Sequence, residues 1–371
     1  MAETEDLKKK QEGLGFCPPA NRPCLTELLP DEIVRELNSR TIPALPDYRG
    51  GQIFSWLSRG VMSFSGMTDL PLPLRQSLEE SFSAGSTGVE SLFQDQDGTQ
   101  KLKIRLFDGL FIESVLLTDR AGRRTACLST QAGCAMGCLF CRTGGLGLKR
   151  NLSAGEITEQ FLHLLNLTRP SPVLRGVNIV FMGMGEGLAN YPAFMKAVSI
   201  LSHPQGLGLS PARMTVSTCG LVPGILALGR EKRGPRLAVS LNSALEEKRR
   251  FLMPGAAGWS LGELKEALLD YQSRKKERLT LEYVLLSGFN DRREDLQALI
   301  NFIPPLRVQV NLIPYNPLPA QTAPPRRAFT SPGPESTQGF YRGLQQAGVK
   351  ATLRYSRGRS TNSACGQLAG E

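Results

Sequence analysis

The stretch TACLSTQAGCAMGCLFC, residues 125–141, joins a β-rich segment to a loop that contains three cysteines. Cys134, Cys138 and Cys141 stand at CxxxCxxC spacing. Thiolates are soft ligands that suit iron–sulfur clusters and zinc. A structural zinc site normally has four ligands, and neither of the two histidines stands at a familiar zinc spacing from this loop. If the three thiolates bind a four-iron cluster, one iron is left open to a small molecule. The alternative interpretation is that the three cysteines are buried and structural.

Strands and helices alternate from Cys127 onward. Six apolar segments have the length and composition of buried strands, at residues 176–182, 213–219, 235–242, 279–286, 307–314 and 351–356. Helical patterns lie between them, and Ser153 followed by Glu156 predicts a capping box at the start of the helix 153–167. This alternation predicts parallel βα units in an α/β fold. About six units in about 240 residues predict a partial (β/α)6 barrel, whose chemistry lies at the C-terminal ends of its strands.

Three regions are predicted along the chain. Residues 1–25 are interpreted as a flexible tail in which Cys17 and Cys24 form a second metal pair or remain free thiols. Residues 26–95 show apolar residues at three- and four-residue spacing, which predicts a small helical domain. Residues 96–371 hold the barrel and a short β extension, in which Asp108-Gly109 indicates a hairpin turn.

Composition limits the class of protein. The 371 residues carry a net charge of +10, so an acidic or nucleic-acid partner is plausible. Eight cysteines in this length are no disulfide scaffold, and the tight triple indicates a reducing, cytoplasmic compartment. We find no apolar signal core at the N-terminus and no stretch of about 18 apolar residues, so we expect no contact with a membrane.

Polar residues follow the predicted strands at one rim of the barrel. The run GMGEG, residues 183–187, follows the strand 176–182; its glycines allow close backbone approach, and its glutamate suits an ammonium or a ribose hydroxyl. A plain glycine-rich turn is the alternative interpretation. Ser217 lies near the end of the strand 213–219, residues 240–242 end the strand 235–242, and Asn316 follows the strand 307–314.

The cysteine spacing and these motifs together resemble one family. CxxxCxxC is the signature of radical S-adenosylmethionine (SAM) enzymes, in which SAM fills the open iron of a [4Fe–4S] cluster. From about residue 30 to the end, the chain is similar to radical SAM RNA adenine methyltransferases of the RlmN/Cfr type. The likeness rests on the motifs RGGQIF, GCAMGCLFCRTGGLGLKRN, FMGMGEGLAN, STCG, SLNS, IPYNP and ACGQLAG.

The resemblance implies which residues hold the cofactors. The cluster ligands are then Cys134, Cys138 and Cys141. The SAM contacts implied by matching positions are Gly185, Glu186, Ser217, Ser240, Leu241, Asn242 and Asn316.

The resemblance also implies two catalytic cysteines and a base. Cys365 takes a methyl group from one SAM, and a second SAM, reduced at the cluster, gives a radical that abstracts hydrogen from that methyl group. The carbon radical adds to an electron-poor carbon of adenine. Cys127 then attacks Cys365 to release the product, which leaves a transient disulfide. Glu113 matches the proposed acceptor of the adenine proton, and a solvated strand glutamate is the alternative for it.

Basic residues near these motifs are candidates for RNA contact. An adenine that undergoes chemistry must be unstacked into a pocket, and phosphates around it need cations. The candidates are Arg142, Lys149, Arg150, Arg354, Arg357 and Arg359. The last three also predict a thiolate at Cys365.

The implied substrate is carbon 2 of adenosine in the peptidyl-transferase centre of 23S rRNA. Methylation of tRNA at position 37 stays open, and so does the alternative, carbon 8, because Gly187 and Asn242 depart from the usual RlmN motifs. We expect a monomer that takes electrons from a donor such as flavodoxin or ferredoxin. Two other classes remain: a non-catalytic Fe–S or zinc RNA-binding module, and a radical SAM enzyme acting on a small molecule. The sequence assigns no role to Cys219.

Overall fold

The computed structural model describes residues 22–40, 45–167, 176–318, 329–358 and 360–370. Twelve strands lie in this part of the chain: β1 Thr87–Gln94, β2 Gln100–Leu106, β3 Phe111–Thr118, β4 Arg124–Cys127, β5 Gln131–Gly133, β6 Leu148–Asn151, β7 Asn178–Phe181, β8 Met214–Thr218, β9 Arg236–Ser240, β10 Leu279–Leu285, β11 Val308–Pro314 and β12 Ala351–Leu353. The α-helices of the same part are α1 Pro30–Ser39, α2 Tyr48–Ser58, α3 Leu72–Ser81, α4 Arg142–Gly145, α5 Ala154–Leu167, α6 Tyr191–Ser202, α7 Val222–Arg230, α8 Glu246–Leu252, α9 Leu261–Lys275, α10 Arg293–Phe302 and α11 Pro334–Gln346.

Ten strands form one sheet in the order β1-β2-β3-β4-β7-β8-β9-β10-β11-β12. The pairs from β4 to β12 are all parallel, and the order runs from one edge to the other without closing. Strands β4 and β7 to β11 are the six strands of the partial barrel, and β12 adds a short seventh. The prediction of a partial (β/α)6 barrel is therefore confirmed. Apolar side chains of these strands, such as Leu281 and Val310, are fully buried because helices cover the sheet.

The predicted β extension is a three-stranded antiparallel sheet that continues the barrel sheet. Its strands β1 to β3 pair in sequence, and β3 pairs with β4 so that Val115 lies opposite Cys127. The hairpin turn at Asp108-Gly109 is confirmed, since Gly109 has a φ of 82° and its N–H donates to the carbonyl of Leu106. The β extension therefore reaches the first barrel strand beside a predicted catalytic cysteine.

The helical interpretation of residues 26–95 is wrong at its end. Residues 87–94 form β1, because they pair along their whole length with β2, an interaction that helical periodicity cannot reveal. The helices α1 to α3 fall inside the predicted helical region. The division of the chain into domains at residue 95 stays a prediction.

The end of the predicted tail is also packed. Leu25 is fully buried, and the thiol of Cys24 lies 2.9 Å from Thr26 Oγ1 and 3.4 Å from Glu159 Oε1. Residues 22–25 are thus held by α5 and by Glu79 and Ser83, contrary to the interpretation as a tail, and Cys17 lies outside the described residues. The predicted capping box at the start of α5 is present: Ser153 N donates to Glu156 Oε2, and Glu156 N donates to Ser153 Oγ. Among the described residues, no helix is long and apolar enough to cross a membrane.

Candidate active site

The cysteine loop leaves β5 and returns through the short helix α4 to β6. Strands β5 and β6 pair as a small two-stranded sheet that closes the base of the loop. Gly133 has a φ of 77°, and a Cβ atom there would lie 1.9 Å from the carbonyl oxygen of Gly147, so only glycine fits. Within the loop, Cys141 N donates to the carbonyl of Cys138 at 3.1 Å. The backbone therefore fixes the three cysteines on one side of the barrel rim.

The three cysteines line one cavity at the C-terminal ends of the strands, here called the inner cavity. Its other polar lining residues come from the glycine-rich run, the ends of four strands and the C-terminal segment: Glu186, Ser217, Thr218, Cys219, Ser240, Asn242, Glu282, Asn316, Arg354 and Cys365. These are the strand ends at which barrel enzymes carry their chemistry. The prediction that polar groups gather at one rim agrees with this arrangement.

Glu186 lies at the centre of the glycine-rich run and is 3% exposed. Its Oε2 accepts from Cys219 N at 2.7 Å, and its Oε1 accepts from Leu188 N at 3.2 Å. Burial raises the pKa of the Glu186 carboxyl, while these hydrogen bonds oppose the rise. Gly185, with a φ of 101°, lies so close to Gln131 that a Cβ atom would be 2.7 Å from its backbone nitrogen. The run therefore packs directly on the base of the cysteine loop.

The other predicted SAM contacts divide into two groups. Ser217 and Ser240 face each other with their Oγ atoms 3.1 Å apart, and both line the inner cavity. Asn242 also lines it, although its Oδ1 already accepts from Val284 N at 2.9 Å. Leu241 is fully buried outside the cavity lining, where its backbone supports the strand ends.

Asn316 carries an acceptor that is left without a partner. Its Nδ2 donates to Ser356 Oγ at 2.8 Å and to the carbonyl of Cys365 at 3.3 Å. Its Oδ1 is buried and accepts no hydrogen bond within the described residues. A buried acceptor of this kind is costly unless a ligand satisfies it. Asn316 is therefore fitted to a ligand with a hydrogen-bond donor in the inner cavity.

A second cavity, here called the outer cavity, lies beside the first. Cys127 lines it, together with Thr125 of the same strand and Val115 of the neighbouring β3. Cys365 lines both cavities. All seven cysteines in the described part of the chain are free thiols, so the transient disulfide between Cys127 and Cys365 stays a prediction.

The protonation of the two thiols is set by their surroundings. Burial raises the pKa of the Cys127 thiol to about 12, and the neighbouring Cys365 adds to the rise. Desolvation also raises the pKa of the Cys365 thiol, and Arg354 opposes that rise without reversing it. The predicted thiolate at Cys365 stays a prediction: the Cys365 side chain is exposed, Arg354 favours its charged form, and Arg357 is bonded to the carbonyl of Thr118. Arg359 lies outside the described residues.

Glu113 is placed away from both cavity linings. Its side chain is 4% exposed and forms an ion pair with Lys101, with Oε1 2.9 Å from Nζ. Its Oε2 accepts from Ala369 N at 2.8 Å. The carboxylate therefore binds the C-terminal segment in this conformation.

Three further residues of the site escaped the sequence analysis. Cys219 lies with its sulfur 3.7 Å from that of Cys138, and Arg249 donates to the carbonyls of Leu241 and Cys219 across the strand ends. Glu282 lines the inner cavity, and its Oε2 has no hydrogen-bond partner in the described part. Burial raises the pKa of Glu282, with Arg354 opposing the rise. The available signal for Glu282 was a single charge in the apolar strand LTLEYVL.

The donor set favours a cluster with SAM over a single metal ion. Within the described residues, no three histidine, cysteine, aspartate or glutamate side chains converge on one ion. A [4Fe–4S] cluster instead takes its thiolates at separate irons. The three loop thiols share one cavity with the unpartnered oxygens of Asn316 and Glu282, which suit the amine and hydroxyl donors of SAM. The residues present therefore fit both groups.

The predicted RNA-binding cations differ in their surroundings. Arg150 is engaged with Asp108 and Glu156, with nitrogen–oxygen distances of 2.5 and 2.7 Å. Lys149 is exposed, and Arg354 is exposed at the boundary of both cavities. Lys149 and Arg354 are therefore better placed to meet a phosphate than Arg150.

Comparison with known proteins identifies the family. Residues 128–303 match the model of the radical SAM superfamily. A protein described as probable dual-specificity RNA methyltransferase RlmN from Treponema pallidum (strain Nichols) is 42% identical over 344 residues, which are 93% of this chain and 96% of that protein. The corresponding protein of Moorella thermoacetica is 44% identical over 349 residues, with the same coverage of 93% and 96%. The chain belongs to the RlmN family.

A solved structure agrees with the RlmN fold. A radical SAM methyltransferase from Sphaerobacter thermophilus superimposes with a TM-score of 0.88 at 39% identity, and the match covers 94% of this chain and all of that one. The family resemblance and the radical SAM fold predicted from the sequence are thus confirmed. Membership of the RlmN family makes this chain a SAM-dependent methyltransferase and implies a [4Fe–4S] cluster.

Proposed function

We propose that the protein transfers a methyl group from SAM to carbon 2 of adenosine in 23S rRNA, and to adenosine 37 of tRNA, through Cys365. The observation that carries the proposal is that Cys365 lines both the inner cavity with the three loop cysteines and the outer cavity with Cys127. A thiol at this boundary can accept a methyl group on one side and deliver it on the other. The RlmN relatives, described as dual-specificity RNA methyltransferases, support two RNA substrates.

The cofactors belong to the inner cavity. Cys134, Cys138 and Cys141 hold a [4Fe–4S] cluster, and SAM lies against Glu186 and Asn316. When bound, the cluster supplies the electron for reductive cleavage of SAM. The buried Oδ1 of Asn316 supports this assignment because a ligand donor there removes the cost of an unpaired acceptor.

Methyl transfer to Cys365 requires that its thiol lose a proton. Desolvation raises the pKa of this thiol, so a base assists as the sulfur attacks the methyl group of the sulfonium. Glu282 lines the same cavity and has one unpartnered carboxylate oxygen. We assign the thiol proton to that oxygen.

Release of the product requires Cys127. Its sulfur, as the thiolate, attacks the sulfur of Cys365; the bond from Cys365 to the product carbon breaks with its electron pair going to that carbon, which takes up a proton to complete the methyl group, and a disulfide remains. The shared lining of the outer cavity and the influence of Cys365 on the pKa of the Cys127 thiol support this pairing. Glu113 accepts the proton from carbon 2 only if its carboxylate leaves Ala369 N, so this role requires movement of the C-terminal segment.

The proposal also places the RNA substrate, the electron donor and the site of action in the cell. A flipped adenine occupies the outer cavity, and Lys149 and Arg354 meet nearby phosphates. The protein acts as a monomer in the cytoplasm, where thiols stay reduced, and takes electrons from a flavodoxin or ferredoxin.

Anaerobic reconstitution tests the proposal. The full chain is supplied with iron, sulfide, SAM and a reductant, then incubated with an unmethylated 23S rRNA fragment or tRNA, and the nucleosides are read by mass spectrometry. The expected result is about four irons per chain, cleavage of SAM and 2-methyladenosine in both RNAs. Cys365→Ala is the matched control and should cleave SAM without methylating RNA.

Each other outcome contradicts one part of the proposed function. Failure to cleave SAM indicates a non-catalytic RNA-binding module. Cleavage without RNA methylation indicates a small-molecule substrate. A product of 8-methyladenosine contradicts the assignment to carbon 2.

A further inference from the structure

The turn that precedes Cys365 is held by a carboxylate from the β extension. Asp95, directly after β1, accepts four hydrogen bonds on Oδ2: from Ser360 N at 3.0 Å, from Ser360 Oγ at 2.7 Å, from Thr361 N at 3.3 Å and from Thr361 Oγ1 at 3.4 Å. These groups lie four to five residues before Cys365. Asp95 thus binds the backbone and side chains of the segment that leads to Cys365.

A second carboxylate of the same turn binds the residue where this segment begins. Asp97 Oδ2 accepts from Gly358 N at 3.0 Å. Gly358 has a φ of 72°, and a Cβ atom there would lie 2.7 Å from Ser363 Cβ and 3.0 Å from Thr99 Cγ2. Since the two chain segments approach so closely, the turn between β1 and β2 forms one contact with residues 358 and 360–363, here called the acidic clamp.

The aspartate at the centre of the acidic clamp is buried and charged. Asp95 is 8% exposed, and its own backbone N–H donates to the carbonyl of Thr99 at 2.8 Å. The hydrogen bond from Ser360 lowers the pKa of the Asp95 carboxyl, so the group is charged at neutral pH. Hydrogen bonds to a charged acceptor are about twice as strong as neutral ones.

The chain is held again directly after Cys365. Arg142 N, next to the last cysteine of the loop, donates to the carbonyl of Gly366 at 2.7 Å. Thr143 Oγ1 donates to the carbonyl of Leu368 at 2.6 Å. Cys365 therefore lies between the acidic clamp on one side and the cysteine loop on the other.

We propose that Asp95 and Asp97 are positioning residues that hold the thiol of Cys365 at the boundary of the two cavities. The part of this inference that concerns methyl transfer rests on the proposed function. Reaction rates fall steeply when a nucleophile is misplaced by about 1 Å. The β extension thereby acquires a role in the reaction beyond covering the edge of the barrel sheet.

Hydrogen exchange and single-turnover methylation test the proposal on the reconstituted full chain. In Asp95→Ala, exchange of the peptide spanning residues 358–366 should rise at least about tenfold, and the rate at which Cys365 gains a methyl group from SAM should fall at least about tenfold. The affinity for SAM by calorimetry should stay within about twofold, since Asp95 does not line the inner cavity. Asp95→Asn keeps an acceptor oxygen and should recover part of the rate.

Two further variants protect the test from a general loss of folding. Ser360→Ala removes a donor from the segment and leaves the β1–β2 turn unchanged; it should raise exchange in 358–366 alone. Asp270→Ala removes an exposed carboxylate that pairs with Arg274 on α9 and should match the wild type in every measurement.

Wild-type exchange and a wild-type methylation rate in Asp95→Ala overturn the proposal. An equal loss of SAM affinity and rate also overturns it, because that pattern indicates a damaged cavity. If the wild-type protein itself never methylates Cys365, the proposed function fails, and the exchange data alone still decide whether the clamp holds the segment.

Discussion

Replacing Lys101 by methionine should strongly destabilise the folded protein. Lys101 and Glu113 form a buried ion pair, with side chains 8% and 4% exposed and a nitrogen–oxygen distance of 2.9 Å. Lys101→Met leaves the Glu113 carboxylate buried, with the Ala369 N–H still donating to its other oxygen. Removing one member of a buried pair costs about 3–5 kcal/mol, because the remaining charge is desolvated without compensation.

Urea unfolding at neutral pH measures this cost, and the neighbouring pair on the same strand provides the control. Arg105 and Glu90 are 4.0 Å apart with side chains 43% and 45% exposed, so Arg105→Met should cost less than about 1 kcal/mol. The double variant Lys101→Met/Glu113→Gln removes both charges and should recover much of the lost stability. A free energy of unfolding for Lys101→Met no lower than that of Arg105→Met would refute the reasoning.

Three other changes give distinct results. Burial raises the pKa of Glu282, so the charged carboxylate destabilises the folded state above the unfolded-state pKa of about 4.3. Glu282→Gln should therefore raise the midpoint of unfolding at pH 8. This gain in stability should vanish as the pH falls to about 4. Gly133→Ala should lower the free energy of unfolding, measured by calorimetry, by at least about 2 kcal/mol and should also lower the iron content. Gly147 also has a positive φ, but no atom lies within 4 Å of an added Cβ, so Gly147→Ala should lower the free energy of unfolding by about 1 kcal/mol. Cys138→Ala should abolish the visible absorbance and SAM cleavage, and Cys24→Ala should preserve both; retention of full iron in the first variant contradicts the ligand assignment.

Local sequence signals predicted the barrel and the cysteine loop well. The barrel strands have apolar runs that are long enough to recognise, and the capping box at Ser153 depends on residues three positions apart. The spacing of Cys134, Cys138 and Cys141 is itself local, so it indicated the site directly. Such features need no knowledge of the distant chain.

Contacts between distant parts of the chain could not be predicted in this way. Asp95 and Ser360 are 265 residues apart, and no periodicity or motif links a turn aspartate to a C-terminal serine. Glu113 was expected near the substrate, but its ion pair with Lys101 depends on the register between β2 and β3. Desolvation by the surrounding protein also raises the pKa of the Cys365 thiol, and this effect is invisible in composition.

The central claim is that Cys365 carries the methyl group and Cys127 releases the product. The most direct test is to express Cys127→Ala and look for protein covalently bound to RNA on a denaturing gel, with Cys365→Ala as the control. The account predicts a slow, nuclease-sensitive band in Cys127→Ala, because this variant can join Cys365 to adenine but has no thiol to break the link. Cys365→Ala should show no such band. Normal RNA methylation by Cys127→Ala, with no protein attached to RNA, would contradict the account.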